Sequence, residues 1–133
     1  MFGLRWNRFN TVSRIPLFLE ISNKGLLECD IVRHLSPFTT KIILKGLPLK
    51  NRVHKLGENL VYIETGLTIG AEKQRSRFKR GEMAYLTSNG SLCIFIKDSG
   101  PMSAMNPIGV VRSNLHLVES AQKGDVMILR CAN

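Results

Sequence analysis

The residues of this chain whose types and spacing could do chemistry are few, and the most suggestive run is Val53-His54-Lys55. Side chains on a strand alternate between its two faces, so Val53 and Lys55 share one face and His54 takes the other. If Lys55 faces an open groove, its ammonium group can bind a carbonyl oxygen or an anionic ligand. The alternative is a solvated lysine on the surface of a sheet, with His54 as a hydrogen-bonded structural histidine.

Residues further along the chain could complete such a groove. Its wall would be Leu86, Thr87 and Ile94, and its rim the loop around Met102, Met105 and Asn106. Small-molecule and peptide pockets combine apolar side chains with a few polar groups. The predicted ligand-binding residues are therefore Val53, His54, Lys55, Leu86, Thr87, Ile94, Met105 and Asn106. Core packing explains Leu86 and Ile94 equally well, and Met105 and Asn106 fit a role in shaping their loop better than ligand contact.

Metal and nucleophile chemistry finds little support in the sequence. No pair of the histidines His34, His54 and His116 has the spacing of metal ligands. No glycine-rich phosphate loop precedes a helix, and no nucleophile motif surrounds a serine or a cysteine. We therefore expect no metal and no cofactor, and the sequence offers no starting point for a hydrolase or a kinase.

The three cysteines, Cys29, Cys93 and Cys131, form an odd set without C-x-x-C spacing. This argues against both a disulfide framework and a zinc site. Each cysteine falls in a β-like run, where a free cysteine usually behaves as a small buried hydrophobe. We predict all three to be buried.

The charge balance is the unusual bulk property, because 19 Lys and Arg against 10 Asp and Glu give a net charge of +9. The densest cluster is E-K-Q-R-S-R-F-K-R-G-E at 72–82, where basic residues surround Phe78. An aromatic ring among cations is typical of surfaces that stack on bases. Acidic residues dilute this segment, and the other cations are spread from Arg5 to Arg130. A solvated loop is therefore the favoured interpretation, with nucleic-acid binding as the alternative.

The length of 133 residues and an apolar content of 44% predict a single folded domain over 1–133, with a basic N-terminal extension at 1–16. No apolar run approaches the roughly 20 residues that a membrane span needs. Arg5 and Arg8 interrupt the beginning of the sequence, which argues against a secretory signal. We expect a cytoplasmic protein without a membrane partner; a homodimer is left open.

Alternating apolar residues and turn signals predict a series of strands and two helices. The predicted strands lie at 17–21, 27–31, 52–56, 60–64, 83–86, 92–96, 108–111 and 126–131. Asn89-Gly90, between two of these runs, is the strongest short signal for a hairpin. Eight antiparallel strands in a chain of this size favour a closed barrel, since closure removes exposed sheet edges.

Capping residues predict the two helices. Ser36 precedes Pro37, a typical pair for a helix start, and Gly46 marks the end of that helix. Phe38, Ile42 and Ile43 are predicted to share one side of it. A second helix is predicted to begin after Asn114 and to end by Gly124, whereas 66–80 reads as a long connection.

The order of several sequence pieces resembles one family. An S-P helix start, L-P-L-K-N-R-V-H-K-L-G-E-N, R-G-E-M-A-Y-L, L-C-I-F-I and N-P-I-G follow one another as in the small prokaryotic cyclophilin-like domains. That family is widespread and has no established function. The resemblance covers 17–131 and implies an all-β fold, a closed eight-stranded cyclophilin-like barrel with two short capping helices.

A more distant resemblance is to the cyclophilins, the peptidyl-prolyl isomerases. Val53-His54-Lys55 stands where their catalytic strand carries Phe-His-Arg, and Asn89-Gly90-Ser91 resembles the end of their N-G-S loop. Lys55 keeps the charge of the arginine but lacks its planar donor fork, and the Gln-Gly-Gly segment is absent. We therefore expect a domain that binds a small molecule or a peptide segment near Lys55 without efficient isomerase activity. A weak isomerase or chaperone-like protein is the alternative, and an RNA-binding or assembly protein is the outside alternative.

Overall fold

Antiparallel strands make up most of the structure, a computed structural model that describes residues 13–132. Most of the predicted N-terminal extension lies outside the described residues, and the first strand begins inside its last part. The elements are β1 (Arg14–Ile21), β2 (Gly25–Val32), a 3-10 helix (Arg33–Leu35), α1 (Pro37–Lys45), β3 (Leu49–Arg52), β4 (His54–Leu56), β5 (Leu60–Glu64), β6 (Glu82–Leu86), β7 (Ser91–Phe95), β8 (Asn106–Val111), α2 (Leu115–Glu119) and β9 (Val126–Cys131).

Local sequence signals account for the hairpins. In β1, Leu17, Leu19 and Ile21 are buried and alternate with less buried residues, as expected for a strand with one face on a core. Leu19 lies opposite Leu27 of β2, which confirms the predicted first hairpin. The hairpin of β6 and β7 forms around Asn89-Gly90 as predicted, with Gly90 at a φ of 69°, where its lack of a Cβ is needed.

The strands form one sheet in the order β3-β9-β1-β2-β8-β6-β7-β5-β4, and every neighbouring pair is antiparallel. The two edge strands, β3 and β4, follow each other along the chain with only Val53 between them. Across the seam, the side-chain amide of Asn51 donates a hydrogen bond of 2.9 Å to the carbonyl of Glu64. The sheet therefore curls into a nearly closed barrel, which confirms the predicted fold class.

The barrel has nine strand segments, where the sequence predicts eight strands. The difference arises at the predicted strand 52–56, because the chain bends at Val53 and changes its pairing partner. Before the bend β3 pairs with β9, and after it β4 pairs with β5. Val53 itself is fully buried, and its amide donates to the carbonyl of Asp125 at 2.7 Å.

Two apolar clusters stabilise this barrel. The larger one fills the interior with alternate residues of most strands, among them Ile63, Met83 and Leu92. The smaller one lies on the opposite face of β5, β6 and β7, where Phe78 and Met105 from the connecting loops cover residues such as Phe95. One face of this part of the sheet is thus buried inside the barrel, and the other lies beneath the chain's own loops.

The two helices lie at opposite ends of the barrel. α1 follows the end of β2, whereas α2 follows the end of β8, and β2 and β8 run antiparallel as neighbours. We call these ends the α1 end and the α2 end. Among the described residues, no helix is long and apolar enough to cross a bilayer.

The structure corrects several predicted details of the helices. α1 begins at Pro37 and ends before Gly46 as predicted, but the Ser36 side chain makes no capping hydrogen bond. Of its predicted apolar side only Ile43 is buried, while Phe38 is 75% exposed and Ile42 is also exposed. The buried side consists of Thr39, Thr40 and Ile43, because residues three and four positions apart share a helix face. α2 ends at Glu119, before the predicted Gly124.

Candidate functional site

The predicted ligand-binding residues lie in three different environments. Val53 and Ile94 are fully buried in the barrel interior. Leu86 and Met105 belong to the smaller cluster outside the barrel. Lys55 is exposed at the α2 end. The structure therefore does not bring these residues together around one open groove.

Lys55 and Ile94 lie on the same side of the sheet but differ in burial. Lys55 lies opposite Val61, and Val61 lies opposite Ile94, so the three side chains leave the sheet on the same side. Ile94 lies on β7, inside the sheet, and is buried, whereas Lys55 lies on the edge strand β4 and is exposed. From there its Nζ donates a hydrogen bond of 3.4 Å to the carbonyl of Glu119.

Two further cations of the α2 end, Arg52 and Arg80, are also engaged. Arg80 Nη2 lies 3.1 Å from Glu119 Oε1, and Arg80 Nη1 donates to the carbonyl of Ile96 at 2.8 Å. The hydrogen bond from Arg80 lowers the pKa of Glu119, although its partial burial acts in the opposite direction. Arg52 donates to the carbonyl of Gly124 at 2.9 Å. These cations thus hold the helix and the loops of the α2 end in place.

His54 and Thr87 have local structural surroundings. The ring of His54 stacks on Tyr62 of the neighbouring strand, with ring centroids 5.1 Å apart and an angle of 19° between the planes. Thr87 lies half-buried in the turn between β6 and β7. The ring of His54 is therefore packed at the edge of the sheet, and its part in ligand binding stays a prediction.

The segment 72–82 has most of its charge and its aromatic ring in internal contacts. Phe78 is only 3% exposed and stacks on Phe95 at a centroid distance of 4.6 Å. Arg75 pairs with Glu82 at 3.3 Å and also lies over the Phe78 ring. An open cavity of about 420 Å³ adjoins the segment and is lined by Arg75, Ser76, Arg77, Phe78, Lys79 and Glu82. Because Phe78 is covered, it is not available to stack on a base.

Asn106 has all of its hydrogen-bonding capacity engaged inside the protein. Its Oδ1 accepts from the amide of Glu72 at 3.0 Å and from Gln74 Nε2 at 3.2 Å. Its Nδ2 donates to Thr39 Oγ1 at 2.9 Å and to the carbonyl of Gly70 at 3.0 Å. An amide side chain offers two donors and two acceptor positions. Asn106 uses all of them, mainly to hold the connection around Glu72, and has none left for a ligand.

Glu72 caps α1 from the long connection. Its Oε1 accepts from the amide and the hydroxyl of Thr39, at 2.8 and 2.7 Å, and its Oε2 accepts from the amide of Phe38 at 3.0 Å. Burial acts to raise the pKa of this carboxyl, but the hydrogen bonds from Phe38 and Thr39 outweigh it, and the pKa is lowered. The sequence pointed to Ser36 for this role and gave no signal for Glu72.

Two adjoining cavities at the α1 end combine charged with apolar residues; we call them together the α1 groove. The basic cavity, of about 500 Å³, is lined by Arg33, Pro37, Thr40, Lys41, Leu44 and Lys45. The apolar cavity, of about 540 Å³, is lined by Ile15, Pro16, Leu17, Arg33, Leu44, Cys131 and Ala132. Arg33 and Leu44 line both cavities, so the two meet at these side chains.

The α1 groove carries positive charge without a compensating acid. Arg33, Lys41 and Lys45 are exposed, and none of them forms an ion pair with another residue of 13–132. No aspartate or glutamate lines either cavity. The sequence shows that Lys41 and Lys45 share a helix face, but only the fold places this face next to the ends of β1 and β9.

One of the three cysteines predicted to be buried is exposed, and it lines the apolar cavity. Cys131 is exposed, whereas Cys29 and Cys93 are buried as predicted. Burial raises the pKa of both buried thiols to about 12, with the neighbouring Asp30 adding to the effect at Cys29. Cys131 is not buried because it is the last residue of β9.

Within the described chain, no three His, Cys, Asp or Glu side chains lie close enough together to hold a metal ion.

Comparison with known proteins agrees with this geometry. Residues 16–130 match the family model described as cyclophilin-like. The chain belongs to the cyclophilin-like family. No curated protein matches its sequence.

Two solved structures share the cyclophilin-like fold of this chain. A hypothetical protein from Archaeoglobus fulgidus is 20% identical, with a TM-score of 0.76 over 90% of this chain and 96% of its own. McbB, determined in complex with tryptophan, is 12% identical, with a TM-score of 0.74 over 88% of this chain but only 45% of its own. At these identities the similarity establishes the fold alone.

Proposed function

We propose that this cyclophilin-like chain is a binding domain for a small molecule or a peptide segment, without efficient prolyl isomerase activity. The observation that carries the proposal is the α1 groove, whose basic and apolar cavities adjoin at Arg33 and Leu44. Ligand sites typically measure about 300–1,000 Å³ and combine apolar walls with a few polar groups. Each cavity of the α1 groove falls in this range.

The surroundings of Lys55 support the second half of the proposal. By resemblance, Lys55 occupies the place of the arginine that acts on the prolyl amide in cyclophilins. Its ammonium group cannot offer the two parallel donors of a guanidinium, and its Nζ already donates to Glu119. The apolar face outside β5, β6 and β7 is covered by Phe78 and Met105.

A protease-coupled proline isomerisation assay tests this half directly. We expect the rate with the protein to equal the uncatalysed rate. Robust turnover that disappears in Lys55→Ala would contradict the proposal and favour the weak-isomerase alternative.

Chemical-shift mapping tests the binding site. We expect 8-anilinonaphthalene-1-sulfonate, an apolar dye with one anionic group, to shift the amide signals of residues 14, 15, 17, 33, 44, 131 and 132. Leu44→Ser should weaken this binding, whereas Leu26→Ser, which alters an exposed leucine near the α2 end, should not. Shifts scattered over the surface would overturn the proposed site.

The same titration tests whether the ligand binds near Lys55. A binding site there stays a prediction. Shifts centred on 53–55 that disappear in Lys55→Ala would support a site there in place of the α1 groove. Nucleic-acid binding through 72–82 also stays a prediction, and retention on heparin with a steep salt dependence would support it.

A further inference from the structure

We infer that the α1 groove takes a small carboxylate with an apolar body. The carboxylate would lie in the basic cavity, and the body in the apolar cavity between β1, β9 and α1. This inference rests on the proposed function, because it assigns a ligand class to the same groove.

The basic cavity has the charge that an anionic head requires. It is lined by Arg33, Lys41 and Lys45 and by no acidic residue. Glu72, the acid that contacts α1, accepts hydrogen bonds from Phe38 and Thr39 with both carboxylate oxygens. Both of its oxygens are therefore committed to the helix N-terminus, and it does not line the cavity. A neutral or cationic head would leave the three positive charges uncompensated.

One of the three cations, Lys45, has a structural role in α1 that requires no ligand, but this role does not extend to all three. Lys45 lies in the last turn of α1, where a cation interacts favourably with the helix dipole. Arg33 lies outside α1, in the 3-10 helix that precedes it, and is exposed without an ion pair in the described range. A guanidinium offers two parallel donors that match the two oxygens of a carboxylate.

The apolar cavity gives the ligand its body. Leu17 is almost completely buried, and Ile15 and Leu44 pack against the barrel core, so these residues form an apolar wall continuous with the interior. A body placed against them gains about 25 cal/mol for each Å² of apolar surface removed from water. Arg33 and Leu44 line both cavities, so one molecule can reach the cations and the apolar wall together.

Cys131 provides a direct measure of occupancy. It is exposed and lines the apolar cavity, while Cys29 and Cys93 are buried. Iodoacetamide added to the folded protein should therefore alkylate Cys131 alone. An occupant of the apolar cavity would shield this thiol and slow its alkylation.

The test compares three additives with the same alkyl chain and different heads: octanoate, 1-octanol and octyltrimethylammonium. We expect octanoate to slow the alkylation of Cys131 at the lowest concentration. Arg33→Gln should weaken this protection about three- to tenfold, as should the double change Lys41→Gln and Lys45→Gln. Lys97→Gln removes one charge from an exposed residue at the α2 end and should leave the protection unchanged.

The outcomes separate this inference from the proposed function. If 1-octanol or octyltrimethylammonium protects Cys131 as well as octanoate does, the groove binds ligands but the carboxylate class is overturned. If none of the three protects while the naphthalene sulfonate still maps to the groove, the carboxylate class alone is again overturned. If neither probe binds at the groove, the proposed site and the inference both fall.

Discussion

The cations beside α1 and those beside α2 have different surroundings. At the α2 end, Arg80 pairs with Glu119 and Lys55 donates to the Glu119 carbonyl. At the α1 end, Arg33, Lys41 and Lys45 line a cavity and pair with no acid of the described chain. The net charge of +9 is therefore a poor guide to a binding site, and the useful quantity is the charge left without a partner.

The two ends also differ in how firmly their helices are held. The N-terminus of α1 is fixed by Glu72, and the loop that carries Glu72 is fixed by the buried amide of Asn106. The contacts of α2 through Glu119 are exposed to solvent. A binding site benefits from rigid supporting elements, so the α1 end is better prepared to hold a ligand in one geometry.

Two isosteric substitutions, one at each end of the barrel, should differ most in how much they lower the free energy of unfolding. Asn106→Asp removes the donors to Thr39 and Gly70 and turns a carboxylate oxygen of a fully buried residue toward the Gly70 carbonyl. We expect it to lower the free energy of unfolding by about 2–4 kcal/mol. Asn114→Asp, at the start of α2, removes one exposed hydrogen bond to the carbonyl of Leu26 and should cost less than about 0.5 kcal/mol. Urea unfolding at neutral pH measures both, and equal losses would contradict the proposed difference.

Glu72 should make the stability of the α1 end depend on pH. Its pKa is lower in the folded protein than in the unfolded chain, so its contribution is present above the ordinary glutamate pKa. The contribution is lost as the pH falls through the lower folded-state pKa. We expect Glu72→Gln to lower the free energy of unfolding by about 1 kcal/mol at neutral pH, as for the loss of a helix cap.

Unfolding by urea at neutral and acid pH tests this. The difference between Glu72→Gln and the native protein should shrink toward zero in acid, while Glu64→Gln, an exposed glutamate at the end of β5, should show little difference at either pH. A Glu72 effect that stays the same at acid pH would mean that the carboxylate charge is not what caps α1.

Local signals in the sequence were sufficient for most of the barrel. Alternating residues such as Leu17 and Leu19 identify strands with one buried face, and Asn89-Gly90 identifies a hairpin, because both depend on neighbours in the chain. Pro37 and Gly46 bound α1 for the same reason. Closure into a barrel followed from the number of strands, since a closed sheet has no exposed edges.

The features of the α1 end could not be predicted because they join distant parts of the chain. Glu72 reaches Thr39 across 33 positions in the sequence, and Cys131 meets Leu44 only through the fold. Alternation shows which strand residues share a face, but not whether their strand lies inside the sheet or at its edge. That distinction separates buried Ile94 from exposed Lys55.

The smallest effect is expected at the α2 end, from Glu119→Gln. Its ion pair with Arg80 is exposed, and such pairs are screened by salt and opposed by the side-chain entropy lost in forming them. Lys55 bonds to the backbone carbonyl of Glu119, so this contact survives the change. We expect the urea midpoint of Glu119→Gln to differ from the native value no more than that of Lys97→Gln, and any difference to disappear in high salt. A salt-resistant loss comparable to that of Glu72→Gln would show that Glu119 holds α2 as firmly as Glu72 holds α1. The two ends would then differ only in the unpaired cations that line the α1 groove, and not in how firmly their helices are held.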